Sequence, residues 1–353
     1  MAISGQLQTL YAQGHTTLFI PVYGIGDAVL STVAIKHCSL ALGKRILVSH
    51  KNPELFENNP YVISVEGLHD MRISLAQMHE LEASGFSVIY PTYWDFLKNS
   101  KGLFDLCYPQ RNIIAETCAK AGVSGVVDLV PEIYLTEQEK KFGRFAASSQ
   151  KQIVLMSTAV DQYKQWDKWQ DLVDRLRGKH ELVQIGAASD RLLAGVMDLR
   201  GRLSLRQVAG VLHNADLFLG QIGGLMHVAR AVGTRSVIAY SGAEPEWFSS
   251  YPCNINVHPE FPCDLCTQPG KSPYSISCTN DYRCIRSISV DQMERATDMA
   301  LANPTPLDAY AESVTSTKTS ASAAYARRYS LEKESVWRRI ASTFLRLKSC
   351  SSY

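Results

Sequence analysis

The stretch DLFLGQIGGLMHVARAVGTRSVIAYSG, residues 216–242, decides the fold class, because it reads as strand, glycine turn, helix and strand in succession. Asp216 to Leu219 is a short apolar run of the kind buried on both faces of a parallel sheet. Gly220, Gly223 and Gly224 break that run with a backbone freedom only glycine has. Leu225, Met226, Val228, Ala229 and Val232 then recur at helical spacing, Gly233 closes the helix, and Ser236 to Tyr240 is the next strand. A glycine turn feeding a helix N-terminus offers backbone N–H groups and a partial positive charge, which suits an anion such as a diphosphate. His227, in the first turn, is placed to donate to the same anion; the alternative is a tight turn with a surface histidine and no ligand.

The same alternation recurs toward the N-terminus. Thr17 to Val22 reads as a buried strand, and Tyr23, Gly24, Ile25 and Gly26 turn into a helix over 27–42. Asp27 falls at the expected N-cap of that helix, where it serves either as a cap alone or as a carboxylate facing a cleft. Strands follow at 45–48, 62–65 and 86–90, with an amphipathic helix marked by Ile73, Leu75, Met78 and Leu81, and an aromatic loop at Tyr93, Trp94 and Phe96. A second series starts with a strand over 152–156. Ser157 and Thr158 sit at its end, and Lys164 opens the next helix, which together make a second anion-binding corner. A solvated helix-start lysine is the other reading of Lys164. Trp166 and Trp169 read as packing residues rather than sugar platforms. Strands are expected at 182–185 and 196–199, with Ser204 capping a helix to Leu212. The α/β alternation predicts two doubly wound, Rossmann-like parallel sheets, with ligands at the carboxyl ends of the strands. One domain is expected over 1–145 and the other over 146–305, joined by the polar segment around 132–150.

Composition narrows the class of function. The 353 residues exceed what one core usually serves, and 46% hydrophobic with 20% charged content is ordinary for a globular protein. The start MAISGQLQTL lacks a basic region and a long apolar run, so no signal peptide is expected, and no continuous apolar stretch approaches membrane-spanning length. Residues 327–348 hold seven basic and two acidic side chains, so of the net +2 this tail carries +5 and the remainder −3. That balance argues against nucleic acid as a partner of the globular part.

Nine cysteines without an export signal predict a reducing, cytoplasmic setting. Cys263, Cys266, Cys278 and Cys284 cluster within a loop spanning 253–284, with Cys253 as a substitute ligand. Four such cysteines suit a structural zinc or iron, although the second spacing is wider than in zinc ribbons. A disulfide and free buried thiols stay open beside the metal. Residues 306–325, rich in serine and threonine from Ser313 to Ser322, read as a linker. In the tail, 326–353, Val336, Trp337, Ile340, Phe344 and Leu347 share one helical face, opposite Arg338, Arg339, Ser342 and Arg346. A basic amphipathic helix of this kind is read as a membrane-surface anchor, a docking helix for a protein partner, or a helix that packs back on the domains.

From Gln184 to Thr234 the sequence resembles the donor-binding half of glycosyltransferase family 9, the ADP-heptose-using heptosyltransferases. The resemblance rests on the run from Asp198 to Leu205, on Gly224, Met226 and His227, and on the Ala-x-Gly-Thr that follows. A second match, Gly24 to Asp27, extends it over roughly residues 15 to 302 in the same order and spacing. It implies a GT-B arrangement of two facing Rossmann-like domains, with the acceptor on the first and the nucleotide sugar on the second. The family places its presumed base at Asp27, and the lysine matching Lys164 contacts the donor phosphates. Gly24, Gly26, Ser157, Thr158, Gly186, Gly223, Gly224, Leu225 and His227 are then the candidate substrate and nucleotide contacts. The expected reaction is inverting transfer of a sugar, a heptose from ADP-heptose, to a saccharide or lipid-linked acceptor such as lipopolysaccharide core. It would run at the cytoplasmic face of the inner membrane. No catalytic metal is expected, since helix N-termini and basic groups offset the diphosphate charge. One departure stands out: Ile222 and Gly223 occupy positions where family members commonly carry an acid and a hydroxyl. It leaves two rivals open, a GT-B transferase using another nucleotide sugar and a non-catalytic module used for assembly.

Overall fold

The computed structural model describes residues 5–325 except 23, 71–72, 93–94, 99–103, 108–110, 148, 243, 261–277, 279, 304–305 and 308–309. The first unit opens with α1 (Gly5–Ala12), β1 (Thr17–Phe19) and α2 (Ile25–Leu42). β2 (Ile46–Val48), β3 (Val62–Ser64), α3 (Leu75–Ala83) and β4 (Ser87–Ile89) complete a parallel sheet in the order β3-β2-β1-β4. Of the expected aromatic loop, Tyr93 and Trp94 lie outside the described residues, while Phe96 falls in β5 (Asp95–Lys98), which pairs antiparallel with β6 (Phe104–Cys107). Then come α4 (Ile113–Ala121), β7 (Gly125–Asp128) and the one-turn α5 (Glu137–Lys140).

The second unit contains β8 (Gln152–Leu155), α6 (Trp169–Leu176), β9 (Glu181–Gln184), β10 (Met197–Asp198) and α7 (Leu205–His213). It continues through β11 (Leu217–Gln221), α8 (Gly224–Ala231), β12 (Ser236–Ala239), α9 (Glu246–Ser249) and β13 (Ile255–Val257). α10 (Arg283–Ser287) and α11 (Val290–Ala302) follow. Its sheet is parallel throughout, in the order β10-β9-β8-β11-β12-β13. Strand order reverses between β8 and β11 here and between β1 and β4 in the first sheet, and ligands bind at such points.

Residues 306–325 are not a free linker. β14 (Ala311–Val314) pairs antiparallel with β7 of the first unit. Beyond it, 321–325 is helical, with Ala321 and Ala324 buried in the cluster around Leu7, Met78 and Phe86. Tyr325 donates from its hydroxyl to the carbonyl of Ile73 at 2.6 Å. The chain thus returns to its first unit after completing the second. The tail over 326–353 lies outside the described residues.

The helices are fixed by their ends and buried faces. Ser74, Thr136, Ser204 and Ser289 each form a reciprocal capping box with the residue three positions on, a device that stabilises a helix start by about 1 kcal/mol. α2 is long and apolar enough to cross a membrane by length and composition, yet 56% of it is buried. It packs against α4 and α8 as a core helix shared by the two units. One apolar cluster runs through both, from Phe19, Val33 and Ile114 to Val154, Phe218 and Met226.

Arg206 of α7 clasps the units together. Its guanidinium pairs with Glu139 through both ends of the fork and donates to the carbonyls of Glu54 at 2.9 Å and Tyr134 at 2.8 Å.

Candidate active site

The two glycine motifs meet. A Cβ placed on Gly26 would lie 3.1 Å from the Gly224 Cα and 3.1 Å from the His227 ring. A Cβ on Gly224 would lie 3.1 Å from the Gly26 nitrogen. Only glycine lets the first turns of α2 and α8 approach this closely. Each turn ends a strand beside a point of strand-order reversal, so the site joins the carboxyl ends of both sheets. Two helix N-termini face each other there, and their partial positive charges repel unless an anion lies between them.

Asp27 supplies one such charge. It is not the N-cap: Gly24 takes that position without a side-chain bond, and Asp27 is the third residue of α2. The N-cap must be extended, and the residue three positions on can then fold its carboxylate back over the turn. Asp27 does so, since a Cβ on Gly24 would fall 2.2 Å from its Oδ2. Glycine at position 24 thus leaves room for the carboxylate in this orientation.

His227 is buried rather than on the surface. Its Nδ1 lies 2.8 Å from the Tyr251 hydroxyl, and burial, followed by the nearby Lys164 ammonium, pushes its pKa down to about 3. The imidazole is neutral at physiological pH, so it offers an anion a hydrogen bond but no charge. The unfolded chain takes up this proton near 6.5 and the folded chain near 3, so the contribution of His227 to stability is complete above 6.5 and is lost as pH falls toward 3. Urea unfolding between pH 6.5 and 4 should therefore show the parent losing about 1.4 kcal/mol per pH unit more than His227→Gln. Parallel curves would contradict this.

The β8 corner lies in the adjacent loop. Ser157 is buried, and its Oγ accepts from Gln184 Nε2 at 3.0 Å, which leaves its own proton to donate. Thr158 is half-buried beside it. Lys164 ends a short 3-10 turn rather than starting an α-helix, and its Nζ lies 3.4 Å from Glu244 Oε2. Trp166 and Trp169 are buried edge to face, with the Trp166 indole N–H donating to the Ile288 carbonyl at 3.0 Å. Gly186 has φ +141° and closes a loop in which Asp190 accepts from Ala187 N at 2.9 Å. Gly220 is not part of the turn. It lies within β11, where a Cβ would strike the Phe218 ring at 2.7 Å. Gly223 and Leu225 flank the start of α8, and Ile222 is buried in the shared core.

Sequence reasoning missed Glu244, Tyr251 and Asn112. Glu244 follows the carboxyl end of β12, so strand position alone could have pointed to it. Asn112 caps α4 and donates from Nδ2 to the Trp247 carbonyl at 3.2 Å, tying the first unit to α9.

Of the four loop cysteines, Cys263 and Cys266 lie outside the described residues. Cys278 Sγ accepts from the Tyr282 amide at 3.1 Å, while Cys284 is buried in the apolar cluster under α11. Among the described residues no three His, Cys, Asp or Glu side chains come together to hold a metal ion.

Residues 120–268 match glycosyltransferase family 9 (heptosyltransferase), a span that contains Lys164, Gly186 and Gly223 to His227 but not Asp27. No curated protein matches the chain in sequence. Among solved structures it is similar to the dodecameric iron-containing glycosyltransferase TibC of enterotoxigenic Escherichia coli H10407. The two share 14% identity at a TM-score of 0.62, over 82% of this chain and 76% of that one. TibC has also been solved, as a heptosyltransferase, in complex with ADP-D-β-D-heptose. The family 9 glycosyltransferase of Veillonella parvula DSM 2008 is 14% identical, with a TM-score of 0.60 over 82% of this chain and 98% of that one. The E. coli ADP-heptose LPS heptosyltransferase II is 14% identical, with a TM-score of 0.58 over 81% and 98%.

Proposed function

We propose that this glycosyltransferase, matched to family 9 (heptosyltransferase) over residues 120–268, moves a heptose from ADP-heptose to a hydroxyl of a cell-surface glycoconjugate such as lipopolysaccharide core, with inversion at the anomeric carbon. The observation that carries the reading is the contact of Gly26 with Gly224, which sets a carboxylate and an anion-binding helix end at one point.

In this reading the donor diphosphate lies against the first turn of α8, with Lys164 offsetting its charge and neutral His227 donating a hydrogen bond. Asp27, on the opposing turn, takes the proton from the acceptor hydroxyl as that oxygen attacks the anomeric carbon. The carboxylate also stabilises the positive charge that develops on the sugar ring. Both helix N-termini favour the leaving ADP. Buried Ile222 supports a second reading, a different nucleotide in the donor, because it puts no acid on the ribose.

Incubation with ADP-heptose and a heptose-terminated core acceptor, followed by NMR of the product, tests both parts. The expected result is ADP release with the new linkage opposite in anomeric configuration to the donor. Transfer from UDP- or GDP-sugars alone would favour the second reading, and retention of configuration would refute the role given to Asp27.

We further propose a structural iron or zinc on Cys263, Cys266, Cys278 and Cys284, in keeping with the iron-containing TibC. Elemental analysis should find about one metal per chain, and Cys284→Ser should lose metal and thermal stability together. Metal-free protein of normal stability would contradict it.

A further inference from the structure

Lys164 and Glu244 reach the donor site from opposite sides. Lys164 follows β8, Glu244 follows β12, and β11 with its glycine turn lies between these two strands. Their ion pair, 3.4 Å from Nζ to Oε2, therefore spans the mouth of the turn that starts α8. The two partners are not equally mobile. Glu244 is buried, and its other oxygen accepts from Ser249 Oγ, which itself lies 3.4 Å from the Tyr240 hydroxyl. Lys164 is half-buried on a flexible four-carbon stem, and its ammonium has two further protons to give.

A fixed, buried negative charge beside an anion-binding helix end weakens binding of any anion there, and burial limits the screening by salt. Neutral His227 does not offset it. The pair itself carries no net charge, so Glu244 takes from the diphosphate site the affinity that an unpaired lysine would give it.

We propose that Glu244 is the counter-charge of the diphosphate site: it holds Lys164 in the empty enzyme and lowers the affinity for ADP, so that the spent nucleotide leaves. This rests on the reading of Lys164 as a diphosphate contact. When the donor enters, the ammonium is shared with the diphosphate while Ser249 keeps the carboxylate in place. After transfer, Glu244 draws the lysine back and the ADP departs.

The test is calorimetric titration of the full chain with ADP, using the parent, Glu244→Gln, Glu244→Asp and Lys164→Met, each checked for folding by thermal melting. Glu244→Gln should bind ADP about tenfold tighter, and its turnover should be inhibited by correspondingly lower ADP. Glu244→Asp, which keeps the charge, should stay within about twofold of the parent. Glu244→Ala removes the same charge if the amide is not accommodated. Lys164→Met should bind ADP about tenfold more weakly. Unchanged or weaker ADP binding when the Glu244 charge is removed overturns the counter-charge while leaving the diphosphate reading intact. Unchanged binding by Lys164→Met overturns that reading and the proposal with it.

Discussion

Asp27→Asn should cut turnover by roughly 10²–10⁴-fold while leaving ADP affinity within a few-fold of the parent. Asparagine keeps the volume and shape of the side chain, and Gly24 still leaves room for it to fold back over the turn. What it loses is the ability to take a proton and to face a developing positive charge with a full negative one. In the proposed binding mode the diphosphate is held from α8 and Lys164, on the other side of the site, so binding and chemistry should separate in this variant. Since Gly24 is the N-cap, the helix start survives the substitution. Steady-state kinetics with saturating ADP-heptose measures the effect, and turnover within a few-fold of the parent would show that Asp27 only shapes the turn.

Arg206→Ala should destabilise the folded chain by about 3–5 kcal/mol. The guanidinium is buried, and truncation would strand Glu139 together with the carbonyls of Glu54 and Tyr134, groups from two segments far apart in sequence. The strength of the pairing shows in Glu139, whose pKa is pulled down to about 2, first by its hydrogen bond to Arg206. The Glu139 carboxylate is a quarter exposed and keeps its capping box with Thr136, so part of the loss is recovered by water. Because the clasp joins the units that carry the two glycine motifs, donor turnover should fall at temperatures well below the melting point. Urea unfolding measures the first effect. A loss under 1 kcal/mol would show that the shared apolar core alone holds the units together.

Much of this was legible in local sequence. The alternation of apolar runs with glycine turns identified both parallel sheets, and Ser204 as a cap marked the start of α7. The hidden parts depend on distant partners. Ser313 to Ser322 has a linker's composition, but β14 finds β7 nearly two hundred residues earlier, and no local period announces such a pairing. His227 has the spacing of a surface turn residue; Tyr251 and Gly26, far from it in sequence, make it a buried neutral group. An aspartate after glycine reads as a cap, but extended Gly24, three residues earlier, fills that role. Glu244 lies in a short connection without a motif; its place after β12 could have drawn attention to it, but its pairing with Lys164 across the sheet could not be read locally.

The measurement that bears most directly on the central claim, that the Gly24–Asp27 and Gly223–His227 turns form one transfer site, is calorimetry of the full chain with ADP, UDP and GDP. It should be run on the parent and on Gly26→Val, in which the added side chain drives the two turns apart. The account predicts that ADP binds the parent more tightly than UDP or GDP does, and that Gly26→Val weakens ADP binding at least tenfold although it lies in the other unit. A parent that binds none of the three, or a Gly26→Val chain that folds and binds ADP as the parent does, would contradict it.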